Sequence, residues 1–133
     1  MSVYPKIEST SNPKIKHLVR LRKSSRYRNE IGMFILEGRR EIEAMLAAGR
    51  ILEEIYFPAS FLDQNKLSLI LPELSKDIQV FELSEKPMSK ISYRSQGSEI
   101  IGVAKTWDLG LTQPEFSDHG LVIILDEIEK PGN

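Results

Sequence analysis

The 133-residue chain fits one ordinary domain of roughly 100–150 residues, and its 41% apolar content and mean hydropathy of −0.25 describe a globular protein, not a disordered or membrane-embedded one. Cysteine is absent, which excludes disulfides, thiol catalysis and cysteine-ligated metals; the longest apolar run, Leu121 to Leu125, is far short of the ~20 residues of a membrane helix, and Met-Ser-Val-Tyr-Pro-Lys is no signal-peptide start, so a cytoplasmic protein without a membrane partner is expected. The net charge of −1 hides an asymmetry: residues 1–50 hold 11 Lys and Arg against 5 Asp and Glu, a balance of +6, and residues 51–133 hold 7 against 14, a balance of −7, which predicts a basic face for a polyanion on an otherwise acidic protein.

Asn12-Pro13 is a helix start, because asparagine caps free N–H groups and proline suits the first helical position. Ile15, Leu18, Val19 and Arg22 then follow helical spacing, predicting a helix over Pro13 to Ser24 whose outer face carries Lys14, Lys16, Arg20 and Lys23. The basic run continues through Arg26 and Arg28 into a turn before Gly32, with no acidic residue from Lys14 to Arg28. A solvated helix face usually mixes signs to gain i, i+4 pairs, whereas an unmixed stripe repels itself until phosphates neutralise it. The stripe is therefore a candidate nucleic-acid surface, with a plain solvated face as the alternative. Tyr27 and Phe34 are available for base stacking or for core and turn contacts.

Met33 to Leu36 is an unbroken apolar run that predicts a strand buried on both faces, and Glu37-Gly38 makes a tight exit from it. Ile42, Met45 and Leu46 give the next helix its apolar side, and Gly49 stops it. Arg39 and Arg40 open this helix where the macrodipole disfavours cations, so they are placed for an outside anion, or Arg39 pairs with Glu43 one turn on. Ile51 to Phe57 predicts a strand, Asn65 to Ser75 a helix interrupted by Pro72, Asp77 to Leu83 a strand and Ser84 to Ile91 a short helix. Strands and helices alternating at this spacing predict a small, mainly parallel sheet with helices on both faces.

Ser92 to Glu99 is a polar loop whose Arg94, serines and Gln96 suit phosphate or ribose contacts or form a plain loop, and Ile100 to Thr106 predicts a strand after it. Trp107 to Gly120 loses periodicity and is the candidate linker. His17 and His119 stand alone at no ligand spacing, and no phosphate loop, zinc-protease motif or nucleophile elbow occurs, so no metal site is expected. Leu121 to Leu125 predicts a buried strand feeding a Pro131-Gly132 turn, as in a chain cut through a second domain.

Four passages together resemble the SpoU-type (TrmH-like) RNA 2′-O-ribose methyltransferases: Ser11-Asn12-Pro13-Lys14-Ile15-Lys16 with its basic helix, Gly32 to Arg39, Tyr93 to Val103, and Leu125 to Asn133. The resemblance implies an α/β protein. Residues 1–106 would be an RNA substrate-binding domain, a small three-layer α/β/α unit similar to the ribosomal proteins that bind kink-turn RNA. Residues 107–120 would be a linker, and 121–133 the first strand and motif of a truncated, knotted SPOUT methyltransferase domain. Asn133 matches the asparagine of the first family motif, and no catalytic set is complete. Lys130 stands where the family commonly has Asp, and Glu99 where it often has Gly.

S-adenosyl-L-methionine would be the parent protein's cofactor, bound in the missing portion, and the parent would be a homodimer through that portion, leaving this fragment inactive by itself. Structured RNA, ribosomal or transfer, would be the partner. Methylating a ribose hydroxyl depends on aligning the 2′-oxygen with the methyl donor, and a basic RNA-binding domain supplies alignment. The candidate RNA-binding residues are Asn12, Lys14, Lys16, Arg20, Lys23, Arg26, Arg28, Arg39, Arg40 and Arg94. The competing readings are a stand-alone structured-RNA-binding module without catalytic activity and a protein-interaction domain whose basic face meets an acidic partner.

Overall fold

The computed structural model describes residues 3–63, 77–93, 100–110 and 119–126. The elements run β1 (Lys6–Ile7), α1 (Pro13–Lys23), α2 (Ser25–Ile31), β2 (Met33–Glu37), α3 (Arg39–Ala47), β3 (Leu52–Pro58), α4 (Ala59–Asp63), β4 (Gln79–Leu83), α5 (Glu85–Ile91) and β5 (Ile101–Lys105). The helix expected over 65–75 lies outside the described residues.

Local chemistry sets most boundaries. Asn12 Oδ1 accepts the Lys14 N–H at 2.9 Å and Pro13 opens α1. The expected turn through Arg26 and Arg28 is instead α2. The Ser24 hydroxyl accepts the Tyr27 N–H at 3.1 Å to start it, and Gly32 ends it at φ 65°, a left-handed conformation that glycine adopts without strain.

Among the described residues the sheet has five strands in the order β1-β4-β3-β5-β2. β4 pairs parallel with β1 and β3, while β5 runs antiparallel to both β3 and β2. The sheet is thus mixed, where the alternating pattern predicted a mainly parallel one. The crossover from β2 through α3 to β3 leaves a gap one strand wide, and β5 fills it from the opposite direction. β2 is consequently an edge strand with every residue half-buried, not the strand covered on both faces that its apolar run predicts.

Helices cover both faces, giving the three-layer α/β/α arrangement. On one side Ile15, Leu18 and Leu21 of α1 and Met88 and Ile91 of α5 pack with Tyr56, Leu83, Ile101 and Val103, and Tyr27 and Ile31 of α2 close the cluster. On the other, Ile42 and Met45 of α3 and Phe61 of α4 meet Leu52, Ile55, Phe57 and Ala104. Leu52 and Ile55 reach the same side because the register slips between Leu52 and Glu54, and the extra residue of this bulge turns Leu52 over. Gly102 lets α3 approach β5, since a Cβ there would stand 3.3 Å from both Ile42 and Leu52.

Trp107, the first residue of the expected linker, packs edge-on against Phe34 at 5.8 Å with the Arg50 guanidinium 4.5 Å from its ring. Residues 121–126 form no helix or strand, and Leu121 to Leu125 are exposed. An apolar strand needs a neighbour for its N–H and C=O groups, and among the described residues the segment pairs with no strand.

Candidate nucleic-acid interface

Lys16, Arg20 and Lys23 recur at i, i+4 and i+7 along the exposed side of α1, and Arg26 extends this surface onto α2. Among the described residues none of the four is paired with a carboxylate. Arg20 lies over the Tyr27 ring at 4.1 Å, and the Tyr27 hydroxyl is 2.9 Å from His17 Nδ1, so this tyrosine is a support for the stripe and not an open stacking face. Phe34 is likewise engaged, by Trp107.

Four more of the predicted residues, Asn12, Lys14, Arg28 and Arg39, are held by internal bonds. Asn12 is the cap of α1. Lys14 Nζ donates to Glu54 Oε1 at 2.6 Å and Gln79 Oε1 at 3.2 Å, above the Phe81 ring. Arg28 Nη1 donates to the Leu21 and Arg22 carbonyls at 2.7 and 3.2 Å, satisfying orphan acceptors at the end of α1 while keeping its charge uncancelled. Arg39 pairs with Glu43, the internal alternative read from the spacing, and Arg40 beside it is exposed. Arg94 and Asn133 lie outside the described residues.

The structure adds three residues to the predicted set. Arg22, which the helical spacing grouped with the apolar residues, donates from Nη1 to the Ser92 carbonyl at 2.7 Å and so ties α1 to the end of α5. The Glu37 carboxylate accepts from the Ser92 hydroxyl at 2.7 Å and the Tyr93 N–H at 2.8 Å, joining the end of β2 to the same segment. Tyr93 itself is exposed. These residues, with Leu21, Arg28, Phe34 and Ile35, line a cleft of about 320 Å³ along the β2 edge. No periodic signal could reveal it, because its partners are 55 to 70 positions apart in the chain.

A second cleft of about 370 Å³ is lined by His17, Ile31, Met33, Glu53, Glu54 and Gln79. Its carboxylates are committed, Glu53 to Lys105 at 3.0 Å and Glu54 to Lys14. Burial, together with the hydrogen bond to Glu54 and its charge, pushes the Tyr56 hydroxyl far above the ordinary tyrosine range, so it stays a donor. The electrostatic result is a divided protein. Glu54 and Glu53 are neutralised by Lys14 and Lys105, the outer stripe keeps its positive charge, and in the β2-edge cleft two guanidiniums outweigh the one Glu37 carboxylate.

Residues 12–102 match a family described as the MRM3-like substrate binding domain. No curated protein matches the chain. Among solved structures, an RNA 2′-O-ribose methyltransferase is similar at TM-score 0.70 and 30% identity, covering 87% of this chain and 43% of that one. The rRNA methyltransferase from Sinorhizobium meliloti shares the fold at TM-score 0.66 and 19% identity, covering 80% of this chain and 38% of that one. The SpoU methyltransferase AviRb from Streptomyces viridochromogenes, in complex with the cofactor AdoMet, does so at TM-score 0.65 and 13% identity, covering 75% and 37%. The chain spans less than half the length of each of these structures.

Proposed function

The chain belongs to the MRM3-like substrate-binding domain family, and from that membership we propose that it is the RNA-recognition part of an S-adenosylmethionine-dependent RNA 2′-O-ribose methyltransferase acting on ribosomal or transfer RNA. The observation that carries this reading is the exposed cationic surface of Lys16, Arg20, Lys23 and Arg26, which has no carboxylate partner among the described residues and gains counterion-release energy only when a polyanion covers it. Residues 1–106 bind RNA, 107–120 link, and 121–133 begin the methyltransferase domain, where Asn133 is the motif asparagine. Phosphates lie along α1 and α2, with Arg40 and Arg94 toward the target strand.

Among the described residues neither cleft fits the cofactor. S-adenosylmethionine carries a sulfonium cation; the first cleft sets two guanidiniums against one carboxylate, Glu37, which already accepts from Ser92 and Tyr93, and both carboxylates of the second are ion-paired. We therefore place the methyl-donor site, and dimerisation, in a portion of the parent outside these residues, and the parent in the cytoplasm. What this chain contributes is alignment of the 2′-oxygen, a positional contribution to the barrier. The test is binding of the 133-residue chain to structured ribosomal and transfer RNAs across a salt series, beside Arg20→Glu/Lys23→Glu. Salt-steep binding lost in the variant is expected; unchanged affinity and salt slope would remove this surface from RNA recognition.

A further inference from the structure

We propose that Tyr93 is a stacking platform for an unpaired base, at the mouth of the β2-edge cleft, with Arg22 and Arg28 as the cationic walls beside it. The inference rests on the RNA-recognition reading and deepens it by naming unpaired nucleotides as the ligand of one subsite. Aromatic side chains usually bury most of their surface, and the other described rings do find ring neighbours: Tyr4 with Phe57, Tyr27 with His17, Phe34 with Trp107, Tyr56 with Phe81 and Phe57 with Phe61. Tyr93 is 81% exposed, and the Arg22 guanidinium is 5.8 Å from its ring centre, close to the outer limit of ~6 Å for such contacts.

An exposed ring on a loose loop would mean little, but this one is fixed from behind. Glu37 accepts the Tyr93 N–H at 2.8 Å and the Ser92 hydroxyl at 2.7 Å, and Arg22 holds the Ser92 carbonyl at 2.7 Å. A ring presented on a backbone already ordered loses little entropy when a base lands on it. The adjoining cleft, about 320 Å³, is within the ~300–1,000 Å³ typical of small-ligand sites. Leu21 and Ile35 give it apolar lining, and the hydrogen bonds of Arg22 and Arg28 go to carbonyls, so the two guanidiniums outweigh the single Glu37 carboxylate and leave the cleft net positive toward a sugar-phosphate backbone. Glu37 acts as a positioning residue through Tyr93.

The experiment compares the 133-residue wild-type chain with Tyr93→Ala and Tyr93→Phe. The probes are an RNA hairpin with a 2-aminopurine in its unpaired loop and a fully paired RNA duplex of equal charge. Tyr93→Ala is expected to weaken hairpin binding by about 5- to 150-fold, the loss of one stacked base, with unchanged salt slope, unchanged duplex affinity and loss of 2-aminopurine quenching. Tyr93→Phe is expected to keep both. If the hairpin binds salt-steeply and Tyr93→Ala matches wild type in affinity and quenching, the stacking site is refuted while RNA recognition stands. If wild type binds neither probe, both readings fall.

Discussion

Replacing Lys16 and Lys23 together by alanine deletes the two ammonium groups at the ends of the α1 stripe without touching the core. Both side chains are exposed, and neither is paired with a carboxylate among the described residues. Stability should therefore change by no more than ~0.5 kcal/mol, the usual range for such surface positions. If each ammonium neutralises one phosphate, the slope of log affinity against log salt falls by ~0.7 per site, ~1.4 in all. The affinity loss that follows is about 25-fold at 0.1 M salt and about fivefold at 0.3 M, vanishing toward 1 M. Fluorescence anisotropy with a labelled RNA hairpin at four or five salt concentrations reads both quantities, and circular dichroism confirms the fold. A salt-independent loss would show that the lysines act through structure, and an unchanged slope would show that the stripe meets no phosphate.

Lys14→Met strips Glu54 and Gln79 of their shared donor; unfolding should be easier by about 1–3 kcal/mol while hairpin affinity stays within about twofold, and a large binding defect in a stable variant would return Lys14 to the RNA surface. Gly102→Ala sets a methyl 3.3 Å from Ile42 and Leu52, so denaturant melts should show a loss of about 1–3 kcal/mol from overpacking between α3 and β5; equal stability would mean that α3 can shift. Tyr56 is held neutral in the folded state by burial and then by Glu54, above its unfolded value. The stability it contributes is present below about pH 10 and lost above it. The wild-type melting temperature should accordingly fall more steeply above that pH than that of Tyr56→Phe, and parallel curves would refute the assignment.

The placement of α1 was legible because capping is local: Asn12 and Pro13 act within one turn, and Ile15 and Leu18 declare their side by spacing. Gly49, at φ 66°, ends the α3 region for the same kind of reason. Even α2, overlooked in the basic run, carries its signals in Ser24 and Gly32; the density of charge obscured them. The basic stripe was legible as a run without acidic residues, which needs no knowledge of the fold.

The sheet order and the β2-edge cleft were not legible. The sequence of Met33 to Leu36 is that of a buried strand, and it became an edge only because β5, some 65 residues later, took the place beside β3. Sorting the cations was equally out of reach. Arg39 and Arg40 are neighbours, yet one is paired and the other exposed, and Lys14 and Lys16 divide between an internal ion pair and solvent. Arg22 has the composition of a phosphate contact but binds a carbonyl 70 positions away. Charge type, caps and helical period were determined by the sequence itself, because they depend on residues within a turn of one another. Which cations stay unneutralised, and which aromatic ring remains uncovered, were decided by tertiary structure, because a charge or a ring is satisfied by whatever group the fold brings within a few ångströms.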